Sequence, residues 1–295
     1  MAVKQSVYSP RQVAESLAVS ESSVKRWCDL GEISTIRTSG GHRRISAEGL
    51  QQFLGSSNRS LVNPDVLGVI VRPVNRSQRI PGSDEAQLKQ FREALTAGRE
   101  NECLEVFGER VADGWSVSEA AEDLISDAMC GVGSAWVRQE VDVYQERRAC
   151  GICMRLINEM RNKLPVVSDD APVAIGGSPS GDPYEIPTAL VELSLREIGW
   201  QAVNLGCNLP MSSFLQAAQD YNPKLVWLSV STMGDVDEFV SSENVMADSL
   251  DDETILIVGG RALSDAIRPK LRYTAHCDSV RHLTELASSL KSNYG

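Results

Sequence analysis

The stretch APVAIGGSPSGDPYEIPTALVELSLREIGW, residues 171–200, decides the fold of the C-terminal half of the chain. It starts with an apolar run of strand length, continues through a loop rich in glycine and proline, and ends in a segment with helical spacing. Because this order recurs to the end of the chain, it predicts a parallel, doubly wound α/β sheet. The predicted strands are APVAIGG, WQAVNLG, KLVWLSVS, TILIVGG and YTAHCDS, and the predicted helices are TALVELSLREIG, MSSFLQAAQDYN, VDEFVSSENVMADSL, LSDAIRPKL and SVRHLTELASSLKS.

Four loops follow these strands, namely SPSGDPYEIP, GCNLP, SVSTMGD and GGRALS. In open α/β sheets, ligands bind in the crevice beyond the carboxyl ends of the strands. We therefore expect a ligand site at these loops, to which SPSGDPYEIP brings Asp182 and Tyr184.

Residues 1–55 predict a winged helix-turn-helix domain that binds DNA. Ser9 is an N-cap followed by proline, and Ser20 caps a second short helix that ends at Gly31. Two short helices joined by a tight turn form a helix-turn-helix, and a hairpin tip at Gly40-Gly41 would complete a wing. Hydroxyls and cations near a helix N-terminus suit phosphates and base edges. The expected DNA contacts are Ser22, Ser23, Lys25 and Arg26 on the second helix and His42, Arg43 and Arg44 on the wing.

Charge is distributed unevenly along the 295 residues, whose net charge is −11. Residues 1–60 carry +3 and the remainder carries −14, which is typical of a DNA-binding head on a sensory body. The sequence shows neither an apolar run of membrane-spanning length nor a signal segment, which predicts a cytoplasmic protein. Its seven cysteines are then expected to be reduced thiols.

A linker and a helical module lie between the two ends of the chain. Residues 56–83, rich in serine, asparagine and proline, predict the linker. Residues 84–165 hold four helical segments and predict a four-helix bundle, and residues 166–295 are assigned to the Rossmann-like α/β domain. Cys150 and Cys153 form a CxxC on the last helix, with Cys130 on the helix before. We interpret these cysteines as small buried side chains, with a redox role as the alternative.

Residues 8–54 resemble the winged-helix head of MerR-family transcriptional regulators, through SVKRWCDLGEI followed by RTSGGHRRIS. The helical module resembles the bundle of the cobalamin-dependent light-sensing regulators of that family, the CarH/LitR photoreceptor group, through ALTAGRENECLEVF, GWSVSEAAEDLI and GSAW. In that group a tryptophan, nine residues and then Glu-His mark the upper face of the cofactor. The resemblance places Trp136 and Glu146 there, but Arg147 replaces the histidine and Val137 follows the tryptophan.

The C-terminal domain resembles the cobalamin-binding Rossmann-like domain over its whole length. GDPYEIP lies where that family has Gly-Asp-x-His-x-x-Gly, so Asp182 matches the acid that orients the cobalt-binding ring. Tyr184 replaces that histidine, and Pro187 replaces the glycine. Four more residues match positions beside the nucleotide tail of the cofactor: Ser229, Ser231, Gly259 and Gly260.

These departures argue against ordinary histidine-ligated cobalamin. A phenol near pKa 10 is a poor partner for cobalt, which prefers nitrogen, and Val137 and Arg147 offer no imidazole on the other face. We interpret His276 and His282 as structural residues. The expected cofactor is thus another corrinoid or a tetrapyrrole-like ligand, or there is none.

The sequence predicts a DNA-binding transcriptional regulator, not an enzyme, with a cobalamin-domain-like sensory half. Its expected partner is double-stranded operator DNA, and paired half-sites favour a homodimer or homotetramer away from any membrane. Three alternatives stay open. One is a light or redox sensor that binds a corrinoid or tetrapyrrole through non-histidine contacts, one is a corrinoid carrier subunit of a methyltransferase, and one is a ligand-free regulator that acts through protein interactions.

Overall fold

The computed structural model describes residues 7–17, 19–37, 43–46, 49–50, 53 and 83–291. These residues fall into two compact units. One unit holds the residues up to 53 together with 169–188 and 203–291, and the other holds 83–168 and 189–202. His42, the predicted hairpin tip and the predicted linker, apart from Ser83, lie outside the described residues.

The predicted fold class is confirmed: the chain is a multidomain α and α/β protein. The helices are α1 (Pro10–Ser16), α2 (Glu21–Asp29), α3 (Ser83–Ala97), α4 (Glu100–Ala112), α5 (Val117–Val137), α6 (Val143–Lys163), α7 (Ile186–Glu197), α8 (Met211–Tyr221), α9 (Val236–Ser249) and α10 (Val280–Lys291). The strands are β1 (Val7–Tyr8), β2 (Thr35–Arg37), β3 (Arg43–Ser46), β4 (Val173–Pro179), β5 (Gln201–Leu209), β6 (Leu225–Ser229), β7 (Ile255–Gly259) and β8 (Ala275–Cys277). Within the described ranges, no helix has the length and apolar character needed to cross a bilayer.

Helices α1 and α2 begin at the predicted caps. The Ser9 hydroxyl accepts from the Gln12 N–H at 3.2 Å, and the Ser20 hydroxyl accepts from the Ser23 N–H at 3.1 Å. Gly31 follows α2 with φ of 78°, a conformation that glycine adopts at little cost. An antiparallel sheet in the order β1-β3-β2 packs with these helices and supplies the wing strands. The core of this head contains Val13, Val24, Ile33 and Ile45.

Helices α3 to α6 form the predicted bundle. Ser116 is the N-cap of α5, and its side chain forms a capping box with Glu119. The buried Arg110 pairs with Asp123 and lies 4.3 Å above the Trp115 ring, so a cation is accommodated inside the bundle. The apolar core includes Phe91, Leu95, Val106, Phe107, Leu124, Ile125, Ile152 and Leu156.

The unit that contains the bundle also holds most of α7. The Glu197 carboxylate accepts from the N–H groups of Val117 and Ser118 at 2.7 and 2.9 Å, at the N-terminus of α5. Arg161 on α6 lies 3.3 Å from Glu192. A carboxylate at a helix N-terminus satisfies unpaired donors and complements the helix dipole, so Glu197 stabilises this contact.

The five-stranded sheet has the order β5-β4-β6-β7-β8, with parallel pairing from β4 to β8. The chain leaves β4 to reach β5 on one side and then crosses to β6 on the other. The strand order therefore reverses between β4 and β6, and doubly wound sheets of this order bind ligands at such a switch point.

The two faces of the sheet are filled by different side chains. On one face, Phe214 of α8 and Phe239 of α9 pack on Ile175, Val226 and Leu228. Because side chains alternate along a strand, Gly176 and Trp227 belong to the opposite face.

The helix predicted over LSDAIRPKL is wrong. Residues 263–264 are irregular and 265–267 form a turn, and only a single 3-10 turn, Arg268–Lys270, follows. Pro269 has no N–H to donate and disfavours helical backbone at the residue before it, which explains the loss of the helix.

Candidate functional site

Helix α2 exposes three of the four side chains predicted to contact DNA. Ser22, Lys25 and Arg26 are exposed, and Lys25 Nζ lies 2.8 Å from Glu21 Oε1. Ser23 is half-buried, and its hydroxyl lies 2.9 Å from the N-cap hydroxyl. Ser23 therefore takes part in capping, while the other three side chains form a polar face that starts in the first turn of the helix.

Strand β3 carries Arg43 and Arg44, which the structure places differently from a free cationic wing. The Arg43 guanidinium donates to Asp29 Oδ1 at 2.6 Å and to the Lys25 carbonyl at 3.3 Å, so it lies on α2. Arg44 is half-buried and donates to the Arg43 carbonyl at 3.2 Å. Sequence reasoning did not find the contact between Arg43 and α2, because nothing local in RTSGGHRRIS indicates it.

In the bundle, the predicted pocket residue Trp136 lies in the last turn of α5, and its side chain is exposed. Trp136 is 51% exposed and Val137 is 74% exposed at the end of α5, and Val143 and Tyr144 are exposed at the start of α6. Exposed apolar side chains this close in sequence are typical of binding surfaces. The sequence pointed to Trp136 but missed Tyr144, a second exposed aromatic side chain, at the start of α6.

Glu146 and Arg147 lie together on the first turns of α6. Arg147 Nε is 3.5 Å from Glu146 Oε2, and Glu146 Oε1 accepts from the Cys150 thiol at 3.3 Å. Burial and this carboxylate raise the pKa of Cys150 to about 12. Burial also raises the pKa of Cys153. Protonated thiols are weak nucleophiles at neutral pH, which favours a packing role for the CxxC. The burial predicted for Cys130 is wrong, because its side chain is exposed on α5, and Cys150 is only half-buried.

Asp182 is buried at the carboxyl edge of the sheet, and both carboxylate oxygens have donors. Oδ1 accepts from the Tyr184 N–H at 3.1 Å, and Oδ2 accepts from the N–H groups of Ser231 and Thr232 at 2.5 and 3.3 Å. Asp182 thus ties the loop after β4 to the loop after β6. The sequence singled out this acid for orienting a ring, whereas the structure gives its oxygens to backbone groups.

Tyr184 stands at the position where the resemblance expects a cobalt ligand. Its side chain is 43% exposed, and the Arg261 guanidinium lies 5.1 Å from the centre of its ring. Arg261 Nε also donates to the Ser231 carbonyl at 3.1 Å. Arg261 was missed by sequence reasoning, although it directly follows the glycine pair. The three loops after β4, β6 and β7 are therefore bridged by one aromatic ring, one guanidinium and one carboxylate.

The glycine pair after β7 is required by the chain itself. A Cβ on Gly259 would lie 2.7 Å from the Cys277 carbonyl oxygen. Gly260 has φ of 116°, and a Cβ there would overlap the Val230 carbonyl. Ser229 is buried at the end of β6, while Ser231 is half-buried. Close approach between neighbouring strands and loops accounts for both glycines without a ligand.

Trp227 is a buried residue that sequence reasoning read only as part of a strand. It is the direct neighbour of Gly176 across β4 and β6, and a Cβ on that glycine would overlap the indole. The indole N–H donates to the Thr188 hydroxyl at 2.9 Å, and this hydroxyl donates to Asn204 Oδ1 at 3.1 Å. The indole therefore fills the space between the switch point and the first turn of α7.

The histidines described by the structure occupy the C-terminal end of the chain. His276 is buried, with Nδ1 3.3 Å from Arg268 Nη1 and 3.5 Å from Asp278 Oδ1, and burial lowers its pKa. His282 is half-buried on α10. Across the described ranges, no three His, Cys, Asp or Glu side chains cluster in a way that could hold a metal ion.

Comparison with known proteins identifies two domains. A family model described as a helix-turn-helix domain matches residues 7–57. A family model described as a B12 binding domain matches residues 87–159, which contain most of the four-helix bundle.

The relatives with curated descriptions are corrinoid proteins. The chain is 19% identical to dimethylamine corrinoid protein 2 of Methanosarcina acetivorans, over 70% of this chain and 97% of the relative. It is 20% identical to the dimethylamine corrinoid protein of Methanosarcina barkeri, over 70% of this chain and 99% of the relative.

A solved structure has the same fold. The monomethylamine corrinoid protein of Methanosarcina barkeri matches with a TM-score of 0.57 at 18% identity, over 70% of this chain and 99% of that chain. The predicted combination is confirmed: the chain joins a helix-turn-helix domain to a B12-binding-type half.

Proposed function

We propose that this protein is a DNA-binding transcriptional regulator, and that a ligand of its B12-type half controls DNA binding by the head. The observation that carries the proposal is the polar face of α2, where Ser22, Lys25 and Arg26 are exposed on the second helix of a helix-turn-helix. The second helix of this motif enters the major groove, with residues near its N-terminus at the base edges. Regulation fits the domain combination better than catalysis does.

The head would use its groups in distinct ways. Ser22 and Arg26 would contact base edges from the exposed face of α2. Lys25, also exposed on α2, would contact a phosphate. Operators of helix-turn-helix proteins usually have paired half-sites, which supports a homodimer or homotetramer as the binding form.

The body would take a corrinoid as its ligand class. The match to a B12 binding domain and the corrinoid relatives support this class. A bound corrinoid would supply a cobalt centre whose state changes with light or redox conditions. On this chain's side, the bundle offers Trp136 and Tyr144 as exposed aromatic side chains, and the α/β domain offers the Tyr184 ring, which lies 5.1 Å from the Arg261 guanidinium.

The residues do not fit a cobalamin that is anchored by histidine. Tyr184 stands at the predicted ligand position, and the carboxylate of Asp182 is engaged by three backbone N–H groups. A histidine introduced at residue 184 would therefore meet an acid that already has its donors. These contacts support a ligand held by shape and stacking, without a nitrogen ligand from this loop.

A corrinoid carrier is the second candidate function. Its support is the description of the two curated relatives as dimethylamine corrinoid proteins. A carrier has no use for an exposed recognition helix, so specific DNA binding separates the two candidates. A purified chain that accepts and passes on a methyl group while ignoring DNA would favour the carrier.

The proposal is tested by equilibrium binding of the full chain to a duplex selected from a random pool. We expect Arg26→Ala to weaken specific binding by about 1–3 kcal/mol, the usual cost of losing a base contact. Lys89→Ala is the matched control, because Lys89 is an exposed cation on α3, outside the head. Equal losses in both variants, or no sequence-specific binding by the wild type, would contradict the proposal.

A further inference from the structure

The switch point between β4 and β6 is where a doubly wound sheet of this order opens a crevice for a ligand. Helix α7 starts at Ile186, directly after the β4 loop, and its first turn carries Thr188. A group entering the crevice from the carboxyl edge would have to pass between the first turn of α7 and strands β4 and β6.

In this protein that space is filled from within. Trp227 is 1% exposed, and its indole N–H reaches the hydroxyl of Thr188 in the first turn of α7. This hydroxyl in turn donates to the side-chain oxygen of Asn204 on β5. The same oxygen also accepts from the Gly206 N–H at 3.0 Å. The indole is thus fixed at its polar end and cannot swing away without leaving a buried N–H unpaired.

The neighbouring strand is adapted to this side chain. Gly176 is paired with Trp227, and any larger residue there would overlap the indole. A small residue on one strand and the largest residue on the next occupy the volume that two medium residues would otherwise share. Dense packing of this kind leaves no space for a second ring of similar size.

The carboxyl edge above the indole is also closed by the chain's own groups. Asp182 joins the loops after β4 and β6, and Arg261 spans from the loop after β7 to Tyr184. The Asn208 side chain accepts from the Gly181 N–H at 2.8 Å, which fixes the β4 loop from the β5 side as well. The loops are therefore held in place before any ligand arrives.

We propose that Trp227 is a specificity-determining residue that takes the place of the nucleotide tail of a corrinoid. This inference rests on the proposed corrinoid ligand and states which corrinoids the α/β domain would accept. The α/β domain would accept corrinoids that have no tail, or whose tail stays outside the protein, and would reject the insertion of a tail beside β6. The indole supplies from within the chain the apolar contact that a tail would otherwise supply.

The space itself can be tested without a corrinoid. Free dimethylbenzimidazole, a flat base of about the size of an indole, is added to the full chain, to Trp227→Ala and to Phe214→Ala, and melting temperatures are measured. Phe214→Ala is the matched control because Phe214 is fully buried on the opposite face of the sheet. An apolar cavity left by a deleted ring can bind an added ring of similar size.

The single ring of Phe214 leaves a smaller cavity than the two-ring base requires. We therefore expect the base to raise the melting temperature of Trp227→Ala and to leave the wild type and Phe214→Ala unchanged. If Trp227→Ala fails to fold, Trp227→Leu keeps more apolar contact and is measured instead. Stabilisation of the wild type or of Phe214→Ala to the same extent would overturn the proposal, and so would the absence of any effect on the Trp227 variants.

A second measurement compares the binding of cobalamin with that of cobinamide, which lacks the tail. Absorbance after gel filtration shows whether the protein retains each corrinoid, and titration gives the dissociation constants. The wild type should bind cobinamide at least as tightly as cobalamin, and Trp227→Ala should bind cobalamin at least about tenfold more tightly than the wild type does. A wild type that prefers cobalamin by about tenfold would contradict the role of Trp227. If no variant retains either corrinoid, the proposed ligand class fails, while the melting experiment still decides whether Trp227 fills a ring-sized site.

Discussion

The Arg43 guanidinium on β3 contacts the Asp29 carboxylate at the end of α2, with 2.6 Å between Nη2 and Oδ1. A second donor of the same guanidinium reaches the Lys25 carbonyl. The wing strand is therefore tied to the helix proposed to enter the major groove. We therefore expect Arg43 to act as a positioning residue, since the groups that would neutralise a phosphate are already engaged.

This relationship separates the effects of the two wing arginines on DNA binding. Arg43→Ala should weaken DNA binding because strand β3 is no longer held against α2. The slope of the logarithm of the DNA-binding constant against the logarithm of the salt concentration should stay unchanged. Arg44→Ala should weaken binding and reduce the size of that slope by about 1, because a phosphate contact is lost. The check is a salt titration of DNA binding by fluorescence anisotropy. A smaller slope for Arg43→Ala would assign it to a phosphate.

Thermal unfolding provides the control for the Arg43 prediction. If the pair with Asp29 is what Arg43 contributes, the double variant Arg43→Ala plus Asp29→Ala should melt no lower than the less stable single variant. Additive losses in the double variant would mean that the two side chains act separately.

Asp182→Asn should destabilise the α/β domain by about 1–3 kcal/mol, because three backbone N–H groups lose a charged acceptor. The amide group of asparagine would also place donors against donors. Urea unfolding measures the loss, and Asp252→Asn, at an exposed position, is the control expected to change little. Equal stability of Asp182→Asn and the wild type would show that the loops do not depend on this carboxylate.

Glu243 on α9 makes the stability of the α/β domain depend on pH. Burial raises the pKa of its carboxyl from 4.5 to about 7, and Oε1 has no hydrogen-bond partner among the described residues. Since the folded state holds the proton more tightly than the unfolded state, the stabilisation is complete below pH 4.5 and is lost as the pH rises through 7.

The variant Glu243→Gln tests this pH dependence. Between pH 5 and pH 8 its stability relative to the wild type should improve by up to roughly 3 kcal/mol, because about 1.4 kcal/mol corresponds to one unit of pKa difference. Arg272, which donates its N–H to Glu243 Oε2 at 3.1 Å, is unchanged in the variant. Parallel stability curves for the two proteins over this range would refute the prediction.

Glu197→Gln should loosen the contact between α7 and the N-terminus of α5. The carboxylate accepts from Val117 and Ser118 in a partly buried position, so the expected loss is about 1–3 kcal/mol. Glu159→Gln is the matched control, since Glu159 forms an exposed ion pair with Lys163 that contributes little. Hydrogen exchange at the first turn of α5 should rise in the Glu197 variant and stay unchanged in the control.

Local signals in the sequence predicted much of the fold. The caps at Ser9 and Ser20 depend only on neighbouring residues, so the starts of α1 and α2 were predicted correctly. Strand-length apolar runs alternate with segments of helical spacing, and this pattern is also local. It therefore predicted the parallel sheet. The helix predicted across Pro269 failed, because apolar spacing was given more weight than the proline.

The contacts that define the site depend on residues far apart in sequence. Nothing near Trp227 indicates that Gly176 is its neighbour, and nothing near Arg261 indicates the ring of Tyr184. Sequence reasoning found the loops and some of the residues, Asp182 and Tyr184 among them. It could not find which backbone groups occupy the Asp182 carboxylate, because that contact exists only after β4 and β6 are paired.

The central claim is that the head recognises operator DNA. The most direct measurement is selection of random duplexes by the purified full chain, followed by sequencing of the bound pool. We expect a motif of two half-sites, separated by one helical turn of about 10 base pairs or a multiple of it, that Arg26→Ala no longer selects. A pool without a motif, or the same motif with Arg26→Ala, would contradict the claim.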